Sequence, residues 1–177
     1  ETQPWAIVPL RMRGLGVIVL AAGQGKRMRS ATPKVLHLLG GKPLLSHVLE
    51  ACAALKPAKV LVVVGHGMDR IQEAFPQLDP SSWVFQAEQL GTGHAALCAI
   101  QTLGNFAGDL LVLNGDVPLV SPQTLTGMLA GHRSDGRDLT LAVATLANPS
   151  GYGRILRRSG GDIVGVVEER DATDEER

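Results

Sequence analysis

Apolar runs of strand length, the first two almost wholly Val, Ile and Leu, recur along this chain at 16–20, 60–64, 83–86, 110–114 and 139–145. Helical periodicity fills the intervals between them, at 44–55, 68–75, 95–103 and 122–132. Strands apolar on both sides have no face to offer water, so they belong in a sheet covered above and below. Alternation with helices sets such strands parallel, each helix serving as a crossover. The expected fold class is α/β: a Rossmann-like three-layer α/β/α sandwich with a mostly parallel mixed sheet. A last pair of runs, 153–158 and 163–168, flanks Ser159, Gly160 and Gly161 and reads as a hairpin added to that sheet.

With 177 residues and 45% apolar composition the chain can bury one core. No solenoid-period repeat or low-complexity linker divides it. Residues 1–14 read as an N-terminal extension and 15–177 as the domain. The formal charge of +0 supplies no basic field for duplex nucleic acid, and 3% aromatic content supplies few stacking platforms for single strands. The composition therefore argues against nucleic acid as a partner. Charges, glycines or prolines interrupt every apolar run before the roughly 18 residues a bilayer span requires, so no membrane partner is expected. The first dozen residues lack the charge order and cleavage site of a signal peptide. Cys52 and Cys98 have neither zinc nor redox spacing and read as buried reduced thiols, which fits a cytoplasmic protein. His37, His47, His66, His94 and His132 are scattered without ligand spacing, and only His94 falls beside a candidate binding segment.

In an open parallel sheet, ligands sit beyond the carboxyl ends of the strands, so a functional motif should follow a strand directly. The stretch "LAAGQGKRM", 20–28, does so. Gly23 and Gly25 free the backbone and remove side chains that would keep N–H groups from a phosphate, while Lys26 and Arg27 add positive charge. Two familiar phosphate motifs fail here. The P-loop pattern is absent from the chain, and a dinucleotide fingerprint needs Gly or Ala where Met28 stands. Residues 91–96, "GTGHAA", do satisfy G-x-G-x-x-A, but "AEQL" separates them from the preceding strand where a tight turn is required. In "TPK", 32–34, proline biases Thr32 toward an extended backbone and aims Lys34 back at the glycine loop. "LLVLNGDVPL", 110–119, sets Asp116 just past a strand end with Gly115 beside it. An acid there either closes an Asx turn or holds Mg²⁺ together with substrate phosphates. Together these features point to nucleotide phosphate chemistry.

The same stretches resemble a known family. "LAAGQGKRM" followed by "PK" is similar to the signature of sugar-phosphate nucleotidyltransferases. "QAEQLGTGHA" (86–95), "NGDVPL" (114–119), "PSGYGRI" (149–155) and "VVEERDATDEER" (166–177) resemble the uridyltransferase half of the bacterial bifunctional N-acetylglucosamine-1-phosphate uridyltransferase/glucosamine-1-phosphate acetyltransferases. The resemblance covers 15–177. It implies Mg²⁺-dependent transfer of UMP from UTP to N-acetylglucosamine-1-phosphate, giving UDP-N-acetylglucosamine and pyrophosphate for peptidoglycan and lipopolysaccharide precursors. It further implies that Leu20, Ala21, Ala22 and Gly23 contact the nucleotide, that Arg27 and Lys34 neutralise its phosphates as catalytic residues, and that Gln86, Gly91 and Thr92 read the uracil. Asp116 would ligate Mg²⁺, with Asn114 and Gly115 along the same edge, and Gly153 and Glu168 would hold the sugar. Family members continue beyond the stretch present here. They carry asparagines that complete the sugar and metal sites, and a left-handed β-helix domain that bears the acetyltransferase and trimerises the protein. The domain is accordingly expected to be truncated at its C-terminus, with Asp116 lacking its second protein ligand. Another nucleotidyltransferase sharing the opening motif, and a nucleotide-binding fragment without turnover, remain open as alternatives.

Overall fold

The computed structural model describes residues 14–176 apart from 24, 26 and 27. β1 (Gly14–Leu20) opens it, and a 3-10 turn (Lys34–Leu36) and a tight hairpin, β2 (Leu38–Leu39) with β3 (Lys42–Pro43), lead into α1 (Leu44–Ala53). β4 (Lys59–Val64), α2 (Met68–Ala74), β5 (Trp83–Phe85), α3 (Thr92–Leu103), β6 (Gly108–Asn114) and α4 (Pro122–Ser134) follow, then β7 (Arg154–Arg157) and β8 (Ile163–Val167). The chain forms two compact units, Glu1–Arg137 and Asp138–Arg177.

In the first unit a four-stranded sheet runs in the order β5-β4-β1-β6, and every pairing within that sheet is parallel. The two-residue pleat divides the apolar runs between two cores. Leu15, Val17 and Val19 of β1 and Val62 and Val64 of β4 join Leu45, Val48 and Cys52 of α1, Ile71 of α2 and Phe75, with Leu129 of α4 packed against them. Ile18, Leu61, Val63 and Val84 join Ala95 and Ala99 of α3. Helices thus cover both faces, and the expected three-layer sandwich is present. Ile18, Val19, Val62, Val63 and Val64 are all 0% exposed, and each such side chain adds about 1.5–3 kcal/mol through burial. Ser121 caps α4, its Oγ accepting from Thr124 N–H at 3.1 Å, and Pro122 occupies the first turn where its missing N–H costs nothing. The register sets Leu20 against Val63 on one side and Asn114 on the other, so the carboxyl ends of β1, β4 and β6 lie at one level.

The second unit holds the predicted hairpin, with β7 and β8 antiparallel and an irregularity between Leu156 and Arg157. The hairpin is its own two-stranded sheet and does not extend the parallel one. The run 139–145 forms no strand among the described residues, and Leu139 and Val143 are 69% and 56% exposed. Strand propensity measures fit to a neighbouring strand, not a preference of the isolated backbone, so an apolar run without a partner ladder stays irregular. α3 begins at Thr92, ahead of the expected 95, because Gly91 at φ 101° breaks the backbone just before it. Thr92, Gly93 and His94 carry no apolar period by which that first turn could be read.

Candidate functional site

The loops that leave the sheet's carboxyl edge in the first unit surround a cavity of about 510 Å³. Leu20, Ala21, Ala22, Gly23, Gly25 and Met28 line it from the loop after β1, and Lys34 and Val35 from the 3-10 turn. Gln86, Gln89, Gly91, Thr92 and Ala95 close it from the segment after β5, and Asn114 and Asp116 from the end of β6. A space of that size fits a nucleotide-sized ligand.

The glycine loop presents backbone to this space. Ala21 and Ala22 are buried, and Ala21 N–H still donates to Val63 O at 2.7 Å, so the segment is anchored as a continuation of β1. A Cβ on Gly23 would meet nothing within 4 Å, which leaves its surroundings open to a ligand. Gly25 is different. Its φ of +60° lies in the left-handed region, and a Cβ there would come within 2.8 Å of Lys34 Cβ. Only glycine lets the loop pack on Lys34. Pro33, with φ −50° and ψ 137°, turns the chain so that Lys34 faces back toward this loop, as its position in the sequence predicts. The Lys34 ammonium forms an ion pair with the Asp116 carboxylate. Both side chains are partly exposed, at 36% and 25%, so the pair is worth under about 1 kcal/mol and is readily exchanged for a phosphate or a cation.

On the opposite wall, Gln86 is only 3% exposed, and its Nε2 lies 3.2 Å from Gly91 O and 3.0 Å from His94 Nδ1. Gln89 was not singled out by the sequence, yet its Nε2 donates to Ala22 O at 2.7 Å. Gly65, at the end of β4, makes room for that bond: a Cβ would stand 2.9 Å from Gln89 Nε2 and 3.1 Å from Ala22 O. Gln89 thereby ties the wall after β5 to the glycine loop. Its traces in the sequence are faint, an isolated glycine closing an apolar strand and a second glutamine three positions past Gln86.

The other predicted residues fall as follows. Gly115 is buried, donates its N–H to Leu20 O at 2.9 Å, and leaves a gap of only 3.2 Å between a would-be Cβ and that oxygen. It supports the edge that Asn114 and Asp116 line. Arg27, with Lys26, lies outside the described residues. Gly153 and Glu168 belong to the second unit, where a Cβ on Gly153 would sit 3.2 Å from Val167 O and Glu168 is exposed just past β8. In that unit the neighbouring Glu169 is the engaged acid, accepting from Gly151 N–H and pairing with Arg154 Nη2 at 3.4 Å.

Among the described residues there is no group of three or more His, Cys, Asp and Glu arranged to hold a metal. Asp116, the carboxylate of the cavity wall, suits an ion of the Mg²⁺ kind that takes one or two protein oxygens and the rest from phosphate and water. None of the described helices is long and apolar enough to cross a membrane.

Residues 17–162 match the MobA-like NTP transferase domain family. The chain is 50% identical over 164 residues to the bifunctional protein GlmU of Legionella pneumophila (strain Lens), a match that covers 91% of this chain and 35% of the relative. It is 48% identical over 163 residues to the bifunctional protein GlmU of Xanthomonas oryzae pv. oryzae (strain MAFF 311018), with 92% and 35% covered. The chain therefore spans about a third of the length of these curated relatives. Among solved structures it resembles HddC from Yersinia pseudotuberculosis complexed with GMP-PN, with a TM-score of 0.66 and 22% identity over 86% of this chain and 68% of that one. It also resembles 4-diphosphocytidyl-2C-methyl-D-erythritol synthase from Anaerococcus prevotii, with a TM-score of 0.55 and 14% identity over 86% of this chain and 62% of the other. At those identities the likeness is one of fold.

Proposed function

The chain belongs to the MobA-like NTP transferase domain family, and from that membership we propose that it is a uridyltransferase unit that moves UMP from UTP to N-acetylglucosamine-1-phosphate, releasing pyrophosphate. The observation that best supports this is the convergence on one cavity of Leu20 to Gly23, Lys34, Gln86, Gly91, Thr92, Asn114 and Asp116, contributed by loops far apart in sequence. The product, UDP-N-acetylglucosamine, would feed peptidoglycan and lipopolysaccharide precursors in the cytoplasm. The high identity to GlmU proteins supports that choice of substrates over other nucleotides.

In the reaction a phosphate oxygen of the sugar phosphate attacks the α-phosphorus of UTP as the bond to the bridging oxygen of pyrophosphate breaks. The nucleophile is already anionic, so no base is required, and positioning and charge stabilisation dominate the catalysis. Two anions about 4 Å apart repel by about 4 kcal/mol at an effective dielectric of about 20. Lys34 can leave Asp116 for a phosphate oxygen because their pairing is weak. The open space at Gly23, where a Cβ would meet nothing within 4 Å, leaves room for a phosphate against the backbone. Asp116 would hold Mg²⁺, which supplies further neutralisation of phosphate charge, with Asn114 and Gly115 along the same edge. Arg27 is proposed to share the phosphate role of Lys34, and Gly153 and Glu168 to hold the sugar.

Titration calorimetry of this chain with UTP, CTP, GTP and ATP in the presence of Mg²⁺ tests the reading. UTP should bind most tightly, and Lys34→Ala should weaken it by roughly 10- to 100-fold, the usual value of a hydrogen bond to a charged group. Tighter binding of another nucleotide would sink the uridyl assignment, and absence of binding to all of them would sink the site.

A further inference from the structure

Gln86 is buried and yet lines the cavity, and its amide nitrogen has two acceptors within reach, Gly91 O and His94 Nδ1. Both are fixed by α3. Gly91 O accepts the first bond of that helix, from Ala95 N–H at 3.1 Å, and His94 lies in the same turn. A primary amide carries two N–H groups and one oxygen. With both hydrogens committed, Oε1 is the atom that Gln86 can offer a ligand. Nδ1 of His94 must then be the lone-pair nitrogen, with the ring proton on Nε2, which lies 3.9 Å from Cys98 Sγ.

We infer that His94 is a specificity-determining residue: it holds the Gln86 amide with its carbonyl outward, so that the cavity favours a base whose ring nitrogen N3 carries a hydrogen over one whose N3 is a lone pair. The inference rests on the proposed uridyltransferase reading, with Gln86 contacting the base as the family resemblance implies. At ring position 3 uracil presents N–H, whereas cytosine presents a lone pair. To pair with that lone pair the amide has to rotate. Rotation turns Oε1 against Gly91 O, two acceptors facing one another, and it also requires His94 to move its ring proton to Nδ1. Without an acceptor at position 94, the second obstacle disappears and the outward-carbonyl state loses one of its two bonds. His94 is a positioning residue, acting on the base through Gln86.

The test is the ratio of UTP to CTP affinity, by titration calorimetry on the full chain and its variants. His94→Leu removes the acceptor, and His94→Ala does so with less bulk should leucine disturb the helix. His94→Asp keeps an acceptor that can never donate when ionised, at a helix N-terminal turn that tolerates an acid. The wild-type ratio should be about 100-fold and fall to about 10-fold in the Leu and Ala variants, as for one lost hydrogen-bonding constraint in a buried site. His94→Asp should match or exceed the wild-type ratio even where its overall affinity drops. A selectivity unchanged in both Leu and Ala variants overturns the inference while leaving the uridyl reading intact. A wild-type chain with no preference for UTP overturns both.

Discussion

Cys52 lies on the buried face of α1 among Leu45, Val48 and the valines of β1, and burial pushes its thiol up to about 11 from an ordinary value of 9.0. For an acid whose folded pKa is raised, the neutral form is what the fold favours. Its contribution to stability is fully present below the unfolded pKa and is lost as the pH rises from about 9 toward 11, by up to roughly 3 kcal/mol. At pH 8 the native chain should therefore react with an aromatic disulfide reagent at the half-buried Cys98 and release the second thiol only in denaturant. Simultaneous reaction of both thiols would show that the α1 face opens without unfolding. The sequence showed Cys52 as a buried thiol because apolar neighbours at helical spacing surround it. Gln89 was not legible. Its partner, Ala22, is 67 positions away, and no local signal encodes an acceptor supplied by another strand's loop. Lys34 was legible because Pro33 and the glycine loop lie within a few residues of it.

At the level of elements, a buried carboxylate ties β6 to α4. Asp109 has a side chain only 7% exposed and accepts from Arg133 Nε at 2.6 Å, with His132 Nε2 3.9 Å from its other oxygen. The two ends of this pair are unequal, since the Arg133 side chain is 42% exposed. Removing Arg133 takes the 2.6 Å donor from a charge that water can barely reach, whereas removing the acid leaves a guanidinium that already meets solvent. Arg133→Met should thus cost about 3 kcal/mol in urea unfolding and Asp109→Asn only about 1–2 kcal/mol. Equal or reversed losses would show that Asp109 is not the dependent partner. The sequence announced β6 and α4 by their apolar pattern, but nothing in it linked Asp109 to Arg133. The same pattern misjudged 139–145, because alternation of apolar residues is a condition for a strand and pairing is the other.

Across the whole chain, the two units differ in how much each buries. The first has strands with neighbours on both sides and helices on both faces, and its β1 and β4 side chains are excluded from water. The second rests on a two-stranded hairpin whose Ile163, Val164 and Val166 are 42%, 50% and 59% exposed. Hairpins of that kind are marginal by themselves, and the local free energy of opening follows the apolar contacts a segment makes. Hydrogen exchange followed by mass spectrometry should then find the amides of β1 and β4 exchanging only with global unfolding. Those of β7 and β8 should exchange at least about 100-fold faster, through openings that leave the parallel sheet intact. Addition of UTP with Mg²⁺ should slow exchange at 20–23 and Gly25 and in the segment 86–95, which supply cavity-lining residues. Protection of β7 and β8 equal to that of β1 would show that the units unfold as one cooperative body, and the exposure of the hairpin's side chains would then be a poor guide to its stability.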